Sequence, residues 1–261
     1  MGMKGKSAII TGSTSGIGLG IAKIFAKEGI NLIINGLGDP TEMEKVRAAL
    51  ASEYGVKVLY SSANMSKPGE VRAMVKLAEE SFGALDILVN NAGIQHTART
   101  EDFPDEKWDA IISINLSSAF HAIKAALPGM QKRGFGRIIN VASVHGLIAS
   151  KEKIAYVAAK HAIIGMTKVI ALENAKANIT CNAICPGWVL TPLVEKQIAD
   201  RAAKEGISVE SAKAELLGEK QPSGRFATPE QMGATALFLC SESASSITGI
   251  SLPVDGGWTA Q

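Results

Sequence analysis

Residues 11–18, Thr11-Gly12-Ser13-Thr14-Ser15-Gly16-Ile17-Gly18, join a short apolar run to a segment with helical spacing. The apolar run is Ser7–Thr11, and in the following segment large apolar residues recur three and four apart until Gly29. Glycines at such a junction let the backbone approach a pyrophosphate, and the free N–H groups of a helix start favour an anion. The stretch therefore predicts a strand, a turn and a helix that bind a dinucleotide, with a purely structural turn as the alternative.

Further short apolar runs alternate with helical patterns along the rest of the chain. The predicted strands are Ser7–Thr11, Leu32–Asn35, Val56–Tyr60, Ile87–Asn90, Arg137–Ala142, Ile179–Ile184 and Ile250–Val254. Each is continuously apolar, which is typical of strands covered on both faces. Repeated strand–helix–strand order implies a parallel sheet with right-handed crossovers. We therefore predict an α/β protein in which residues 1–261 form a single doubly wound domain, a Rossmann fold of about seven strands with helices on both faces.

The charge balance excludes several classes of partner. The chain has 27 Lys and Arg against 25 Asp and Glu, a net charge of +2, which leaves no excess with which to hold nucleic acid or an anionic membrane. No segment approaches the roughly 18 uninterrupted apolar residues that span a bilayer. Cys181 and Cys185 lie four apart, which fits neither a redox pair nor a zinc site. We expect no nucleic-acid, membrane or metal partner, and a cytoplasmic location.

The end of the second predicted strand bears on the choice of cofactor. An NAD site often offers a carboxylate to the ribose there, whereas the 2′-phosphate of NADP needs a cation. Asp39 is a candidate carboxylate, but Asp39, Pro40 and Glu42 fit the start of a helix better, as an N-cap, a first-turn proline and a capping box. No cation lies between Asn31 and Thr41. The sequence therefore favours NAD.

Three further features lie where a cofactor and substrate would meet. Asn90-Asn91-Ala92-Gly93 closes the fourth predicted strand with small residues, and Ser143 follows the fifth. Tyr156 and Lys160 are four apart, so on a helix they share one face. An ammonium beside a phenol favours phenolate, and we therefore expect a lowered pKa for Tyr156, which would act as a proton acceptor. Each feature alone has a structural explanation, but together they indicate catalysis.

The combined pattern resembles the short-chain dehydrogenase/reductase family over essentially the whole chain. The matching motifs are Thr11-Gly12-xxx-Gly16-x-Gly18, Asn90–Gly93, Asn115, Ser143, Tyr156, Lys160 and Pro186-Gly187. The resemblance implies a catalytic tetrad of Asn115, Ser143, Tyr156 and Lys160. It also implies a cofactor site made of Gly12, Ser13, Thr14, Gly16, Ile17, Gly18, Gly36, Leu37, Asn64, Met65, Asn91, Ala92, Gly93, Tyr156, Lys160, Pro186, Gly187 and Val189.

The resemblance also implies a role for each member of the tetrad. Tyr156 would take the hydroxyl proton of the substrate while hydride leaves for the nicotinamide. Lys160 would hold the nicotinamide ribose, and Ser143 would donate a hydrogen bond to the reacting oxygen. Asn115 would organise a water-linked proton path to Lys160, although a helical asparagine bonded to backbone is the alternative.

Several segments resemble those members of the family that oxidise D-3-hydroxybutyrate to acetoacetate with NAD. These segments are 93–97, 143–147, 181–189, 191–198 and 255–260. The likeness assigns a small hydroxy-acid substrate, whose carboxylate would meet Gln95, His145, Lys153 and Gln197. A cation with amide donors suits a small anion. Trp188 and Leu193 would form the apolar wall, and Ser143 and Tyr156 would hold the hydroxyl.

Two positions depart from the family pattern. Asn64-Met65 stands where the family usually has an aspartate that holds the adenine amino group, and the amide oxygen of Asn64 can still accept that hydrogen bond. Gly36 and Leu37 replace the acid expected at the end of the second strand. For Asn64 we expect weaker adenine affinity and no change of chemistry, whereas the second departure bears on the choice of cofactor.

Residues 190–218 are predicted to form a helical substrate lid, which includes a helix over Thr191–Ala203 and an insertion, Asp200–Gly218. An ordinary solvent-facing helical pair is the alternative for the insertion. The family commonly forms tetramers, and the apolar C-terminal run with Trp258 suits such a contact, so we expect a homotetramer. Two other functions stay open: a ketoreductase acting on acyl thioesters or other alcohols, and a non-catalytic dinucleotide sensor.

Overall fold

The computed structural model describes residues 2–260, in which strands and helices alternate. The strands are β1 (Ser7–Ile10), β2 (Asn31–Asn35), β3 (Val58–Ser61), β4 (Ile87–Asn90), β5 (Gly136–Val141), β6 (Ile179–Pro186) and β7 (Ser251–Val254). The α-helices are α1 (Gly16–Lys27), α2 (Pro40–Tyr54), α3 (Pro68–Phe82), α4 (Asp105–Ile112), α5 (Ser118–Arg133), α6 (Ile154–Asn174), α7 (Pro192–Glu205), α8 (Val209–Gly218) and α9 (Pro229–Cys240). A π-helical turn, Ser113–Ser117, joins α4 to α5.

These strands form one parallel sheet in the order β3-β2-β1-β4-β5-β6-β7. The chain runs outward from β1 to β3 and then crosses back to place β4 on the other side of β1. That reversal opens a crevice at the carboxyl ends of β1 and β4, where open α/β sheets bind their ligands. The predicted doubly wound, seven-stranded parallel sheet is confirmed.

Successive residues of β1 belong to two separate apolar cores. Ile9 packs on the side of α3, α5 and α6, whereas Ala8 and Ile10 pack on the side of α1 and α9. Side chains of a strand point alternately to the two faces of the sheet. Because helices cover both faces, every position of β1 is buried, which explains the continuous apolar run in the sequence.

The predicted strand boundaries are wrong by one or two residues at several ends, for identifiable reasons. β3 begins at Val58 and not at Val56, because the Lys57 N–H bonds to the Asn31 side chain at 3.0 Å and not to the backbone ladder. β6 continues to Pro186, because its last residues pair with β7. The predicted helix 191–203 forms as α7, one residue later at its start, with the Thr191 side chain as its N-cap.

Two helical stretches, 105–133 and 154–174, are long and apolar enough to cross a membrane by length and composition alone. In the protein 39% and 44% of their apolar windows are buried against the rest of the fold. Core helices of folded domains pass the same length test, since a helix that covers a sheet is apolar on one side. All three cysteines are buried and free.

Candidate active site

The glycine-rich turn and the turn after β4 are bonded to each other across the crevice. The Thr11 hydroxyl accepts hydrogen bonds from the N–H groups of Asn91 and Ala92, at 2.9 and 3.0 Å. The Asn91 side chain donates to the carbonyls of Thr11 and Gly12, both at 2.9 Å. The two turns therefore form one fixed floor at the carboxyl edge of the sheet.

The start of α1 faces this floor at close range. A Cβ on Gly18 would lie 2.6 Å from the Asn91 side-chain nitrogen and 2.8 Å from Ser13 Cα, so this position accepts only glycine. The first turn of α1 carries no acidic side chain. The positive end of the helix dipole is thus uncompensated by the helix itself, which suits a pyrophosphate.

Asn35, at the end of β2, is a structural element of the site that sequence reasoning missed. Its side chain is buried, accepts from the Gly12 N–H at 3.1 Å and donates to the carbonyls of Ser61 and Ala63 at 3.0 and 2.9 Å. It thereby ties the glycine-rich turn to the end of β3. The available signal was an amide at the end of a strand that is otherwise apolar.

The residues predicted for the adenosine end lie together beside Asn35. The Tyr60 hydroxyl donates to the Gly36 carbonyl at 2.8 Å, and Leu37 is 66% exposed. Asp39 caps α2, as the sequence favoured, by accepting from the N–H groups of Thr41 and Glu42. The amide oxygen of Asn64 accepts from both the N–H and the hydroxyl of Ser66, so it has no spare lone pair for an adenine amino group.

A cavity of about 520 Å³ extends from the start of α1 to the start of α6. Of the predicted cofactor residues it is lined by Gly12, Thr14, Gly16, Ile17, Gly36, Leu37, Asn64, Met65, Asn91, Ala92, Gly93, Tyr156, Lys160, Pro186, Gly187 and Val189. Ser13 and Gly18 are buried behind this wall. Ser13 supports it, because its hydroxyl donates to the Ile10 carbonyl at 2.6 Å and accepts from the Asn35 N–H at 3.0 Å.

Ser143, Tyr156 and Lys160 meet at the inner end of the cavity. Tyr156 and Lys160 lie one turn apart on α6, and the Lys160 ammonium is 5.5 Å from the centre of the Tyr156 ring. The ammonium donates to the Val141 carbonyl at 2.7 Å. The structure therefore brings together the three groups that the spacing and the sheet topology predicted.

Tyr156 does not have the lowered pKa that its spacing from Lys160 predicted. Burial raises the pKa of Tyr156 above its ordinary value, and interaction with the Ser143 side chain offsets only part of this. Burial also lowers the pKa of Lys160 from 10.5 to about 8. Enclosure is the largest cause of both shifts, because a low-dielectric surrounding disfavours charge on either group.

Asn115, the fourth member of the predicted tetrad, lies in the π-helical turn between α4 and α5. Its amide oxygen accepts from the Ile94 N–H at 2.8 Å, and its amide nitrogen donates to the Ile94 carbonyl at 2.9 Å. It does not line the cavity; it holds the segment after Gly93 that does. The backbone-bonded alternative is realised, but on a distant segment and not within its own helix.

The residues predicted to bind substrate fall into three groups. Gln95 and Leu193 line the cavity together with Ser143 and Tyr156. His145, Lys153 and Trp188 form a cluster beside Tyr156, with Lys153 6.0 Å from the Trp188 ring and His145 6.1 Å from the Tyr156 ring. Gln197 is exposed on α7 and does not reach the cavity, because the adjacent Ile198 is the residue that this helical turn buries.

Burial shifts the pKa of both His145 and Lys153. Burial, and secondarily the neighbouring Lys153, lowers the pKa of His145 from 6.5 to about 4, so its imidazole is neutral. Burial also lowers the pKa of Lys153. The imidazole Nδ1 lies 3.3 Å from the Ser143 hydroxyl oxygen. The same oxygen accepts a hydrogen bond from the backbone N–H of His145 at 3.1 Å. A neutral imidazole can share a hydrogen bond with that hydroxyl.

Fold and site together define a dinucleotide-dependent oxidoreductase, and comparison with known proteins agrees. Residues 12–259 match the family model described as enoyl-(acyl carrier protein) reductase. The chain belongs to the short-chain dehydrogenase/reductase family, whose dehydrogenases use a nicotinamide dinucleotide.

Particular relatives match over nearly the full chain. The D-beta-hydroxybutyrate dehydrogenase of Cupriavidus necator is 60% identical over 259 residues, covering 99% of this chain and 100% of the relative. The protein of the same name from Rhizobium meliloti is 53% identical over 256 residues, covering 98% and 99%. The crystal structure of L-sorbose reductase from Gluconobacter frateurii, complexed with NADPH and L-sorbose, superposes with a TM-score of 0.95 at 35% identity and covers 100% of both chains.

Proposed function

We infer that the protein catalyses the reversible, NAD-dependent oxidation of D-3-hydroxybutyrate to acetoacetate. The single observation that carries this proposal is the convergence of Ser143, Tyr156 and Lys160 on a dinucleotide-sized cavity beside Lys153. The names and coverage of the two bacterial relatives support the same substrate. The convergence supports the reaction, and the adjacent half-buried cation supports an acidic substrate.

The residues of the cavity fit a nicotinamide dinucleotide. The α1 start and the Gly12–Gly18 turn would hold its pyrophosphate, and Lys160, Asn91 and Gly93 would lie along the ribose that carries the nicotinamide. Pro186, Gly187 and Val189 close the far side of the cavity. When bound, the oxidised cofactor supplies the carbon that accepts hydride and a positive ring that favours a nearby phenolate.

Tyr156 is the proton acceptor in this proposal. Its pKa is raised by burial, so the phenol exists mainly in its protonated form until the oxidised nicotinamide adds its positive charge to the site. That form is the one required in the reverse direction, where Tyr156 donates its proton to the keto oxygen of acetoacetate. Ser143 donates a hydrogen bond to the same oxygen and stabilises the charge that develops on it.

Lys160 and Asn115 complete the proton path. The Lys160 ammonium is fixed by the Val141 carbonyl, and its pKa of about 8 lets it exchange a proton near neutral pH. Asn115 holds the Ile94 backbone and, through ordered water, connects Lys160 to solvent. In this proposal Asn115 acts by fixing the wall of the cavity as well as by ordering water.

The substrate carboxylate is assigned to Lys153, with Gln95 and Gln197 as amide donors and His145 as a neutral donor. Lys153 is the charged partner, because the pKa of His145 lies well below neutral pH. Gln197 reaches the carboxylate only if α7 moves toward the cavity, which is the proposed lid motion of residues 190–218. Trp188 and Leu193 provide the apolar surface that excludes water from the short alkyl group.

NAD is the proposed cofactor, in preference to NADP. The end of β2 offers Gly36 and the exposed apolar Leu37, with Asp39 committed to capping α2. A 2′-phosphate placed there would meet no cation within residues 31–41 and would lose part of its hydration. The L-sorbose reductase has the same fold and binds NADPH, so the preference for NAD rests on the end of β2 and not on the fold.

A homotetramer in the cytoplasm is the proposed cellular form. The outer faces of α5 and α6 expose large apolar side chains, notably Phe120, Val169 and Leu172. Such a patch suits an isologous contact between copies of the chain. Three free cysteines fit a reducing compartment.

The test is to mix the purified protein with NAD or NADP and each enantiomer of 3-hydroxybutyrate, and to follow the appearance of reduced nicotinamide by absorbance. We expect turnover with NAD and the D enantiomer. The methyl ester is the matched control, since it keeps the alcohol but removes the carboxylate. Equal rates with acid and ester would refute the acidic substrate and favour the ketoreductase alternative.

A further inference from the structure

Gln221 is a buried amide in an otherwise exposed segment. It follows α8, and its side chain is 2% exposed, whereas residues 222–225 lie at the surface. Its backbone N–H continues the helix by donating to the Leu217 carbonyl at 2.7 Å. A buried polar side chain loses its hydrogen bonds to water, so it is expected to form hydrogen bonds within the protein.

Both ends of the Gln221 amide bind backbone. The amide oxygen accepts from the Trp188 N–H at 2.9 Å, and the amide nitrogen donates to the Arg225 carbonyl. The Trp188 carbonyl accepts from the Ala227 N–H at 2.9 Å. Both polar backbone atoms of Trp188 are therefore held by residues 221–227, the segment that follows the second lid helix.

The contact depends on the absence of a side chain at Gly187. A Cβ at that position would lie 2.7 Å from the Gln221 amide oxygen and 2.9 Å from Asp255 Cα. Gly187 also lines the cavity. The path from Gln221 to Trp188 thus runs directly behind the wall of the active site.

The Trp188 side chain lies at the proposed substrate end of the site, so the position of its backbone affects that end. Its ring lies 6.0 Å from the Trp258 ring and 6.0 Å from the Lys153 ammonium. Trp258 in turn lies 5.6 Å from the His145 ring. A rotation of the Trp188 backbone would therefore move the ring beside Lys153 and, through Trp258, the ring beside His145.

We propose that Gln221 is a positioning residue that couples the end of the lid to the substrate pocket by fixing the Trp188 backbone. This role depends on the proposed function only for the identity of the substrate whose binding is affected. It predicts that loss of the Gln221 amide weakens binding of the hydroxy acid and leaves cofactor binding and proton transfer unchanged.

The test compares Gln221→Met, which keeps the volume and removes both hydrogen bonds, with Ser223→Ala. The control removes a 3.4 Å contact to the same Arg225 carbonyl but nothing at Trp188. For Gln221→Met we expect a KM for D-3-hydroxybutyrate raised about tenfold, the scale of one buried unpaired donor. We expect kcat and the Kd for NAD to change less than twofold. A fall in kcat with KM unchanged would overturn the proposal.

Gln221→Glu supplies a pH readout that a merely structural role would not give. A protonated carboxyl can accept from Trp188 and donate to the Arg225 carbonyl, whereas a carboxylate faces that carbonyl with a second acceptor. We expect the KM of this variant to approach the parent value at low pH and to rise as pH increases, relative to the parent profile. A KM that tracks the parent at every pH would count against the coupling.

Amide exchange in the unmodified protein tests the contact without any variant. Labelling the backbone nitrogen of tryptophan with ¹⁵N gives three amide signals, because the chain has three tryptophans. We expect the signal of Trp188 to exchange slowly with solvent. Exchange at the rate of an unprotected amide would exclude the Gln221 contact. This result is independent of turnover, so a protein inactive on 3-hydroxybutyrate but with a protected Trp188 amide would refute the proposed function and leave the contact standing.

Discussion

The Asn115 side chain forms two hydrogen bonds with the backbone of one residue, Ile94, accepting from its N–H at 2.8 Å and donating to its carbonyl at 2.9 Å. The pair joins the π-helical turn before α5 to the segment after β4. Gly93 fits against the same amide, since a Cβ there would lie 3.5 Å from its oxygen. The buried Asn115 side chain thus pairs with the Ile94 backbone as a neighbouring β-strand would, and it fixes the cavity wall at 93–95.

Asn115→Leu removes this wall support and is expected to raise the KM for NAD about tenfold, the scale of one or two lost hydrogen bonds to backbone. The freed Ile94 groups can bond water, because Ile94 is 40% exposed, so we expect a loss of unfolding free energy of only about 1 kcal/mol. Steady-state kinetics and denaturant unfolding measure the two effects. A reduced kcat with both KM values unchanged would assign Asn115 to the proton path alone.

Tyr156→Phe tests proton transfer. The variant keeps the ring and its packing but removes the hydroxyl, so we expect turnover to fall by roughly 10²–10⁴, the range of general acid–base catalysis. The Kd for NAD, measured by fluorescence titration, is expected to stay within about twofold, since the phenol is one of many contacts in the cavity. Tyr54→Phe, at the far end of α2, is the control. Loss of NAD binding in Tyr156→Phe would make the phenol a structural group.

The sequence predicted the site to the extent that topology and helical period determine it. Parallel strands end at one edge of the sheet, so Gly12, Asn91, Ser143 and Gly187 had to lie near one another. A four-residue spacing on one helix likewise brought Tyr156 to the same side as Lys160. These relations follow from backbone geometry alone.

Quantities that depend on the surroundings could not be predicted in this way. The pKa of Tyr156 is raised by burial, which no local sequence pattern records, and the hydrogen bond with Ser143 offsets only part of that shift. Tertiary packing also determines three other features. They are the π-helical turn at Asn115, the two hydrogen bonds accepted by the Asn64 oxygen, and the hydrogen bond between Gln221 and Trp188. Gln197 shows the converse, since resemblance assigned it a contact that α7 does not make.

Lys160→Met is expected to change the pH dependence of stability. The pKa of Lys160 is about 8 in the folded protein against 10.5 for the free side chain, so the unfolded state binds more protons between these values. Stability of the parent therefore rises with pH across that window, by on the order of 3 kcal/mol, and the burial penalty is complete below pH 8.

The methionine variant lacks this term. Denaturant unfolding at pH 7 and pH 10 should show the stability of the variant relative to the parent decreasing as pH rises. Lys168→Met, at an exposed position of the same helix, is the control and should keep a constant offset. An offset for Lys160→Met that is equally constant would mean that Lys160 is not desolvated.

Leu37→Arg is expected to shift the cofactor preference toward NADP. Leu37 is 66% exposed at the cavity mouth, where a guanidinium can reach a 2′-phosphate without displacing the core. A charge-assisted contact of this kind predicts that kcat/KM with NADP rises about tenfold or more while that with NAD falls. Ser52→Arg adds the same charge on α2 and should leave the ratio unchanged. An equal effect of both variants would reduce the result to net charge.

Arg201 binds three carboxylates and so connects the two helices of the proposed lid. Its guanidinium contacts Glu205 on its own helix, α7, at 3.2 Å, Glu215 on α8 at 3.2 Å and Glu219 just beyond α8 at 3.0 Å. Beneath these ion pairs lies a small apolar cluster that includes Ile198, Ala202 and Ala212. If residues 190–218 move, the two helices are therefore expected to move as one body.

Arg201→Met keeps the aliphatic stem and removes the charge. Exposed ion pairs contribute little to global stability, so we expect the unfolding midpoint to change little while hydrogen exchange in 209–218 accelerates about twofold to fivefold. High salt should produce a similar acceleration in the parent, since it screens the same pairs. Lys45→Met, whose carboxylate partner Glu42 lies on the same helix, is the matched control. Unchanged exchange in 209–218 would show that the apolar cluster alone holds α8 to α7, and faster exchange in both helices would show that the ion cluster stabilises the lid as a whole.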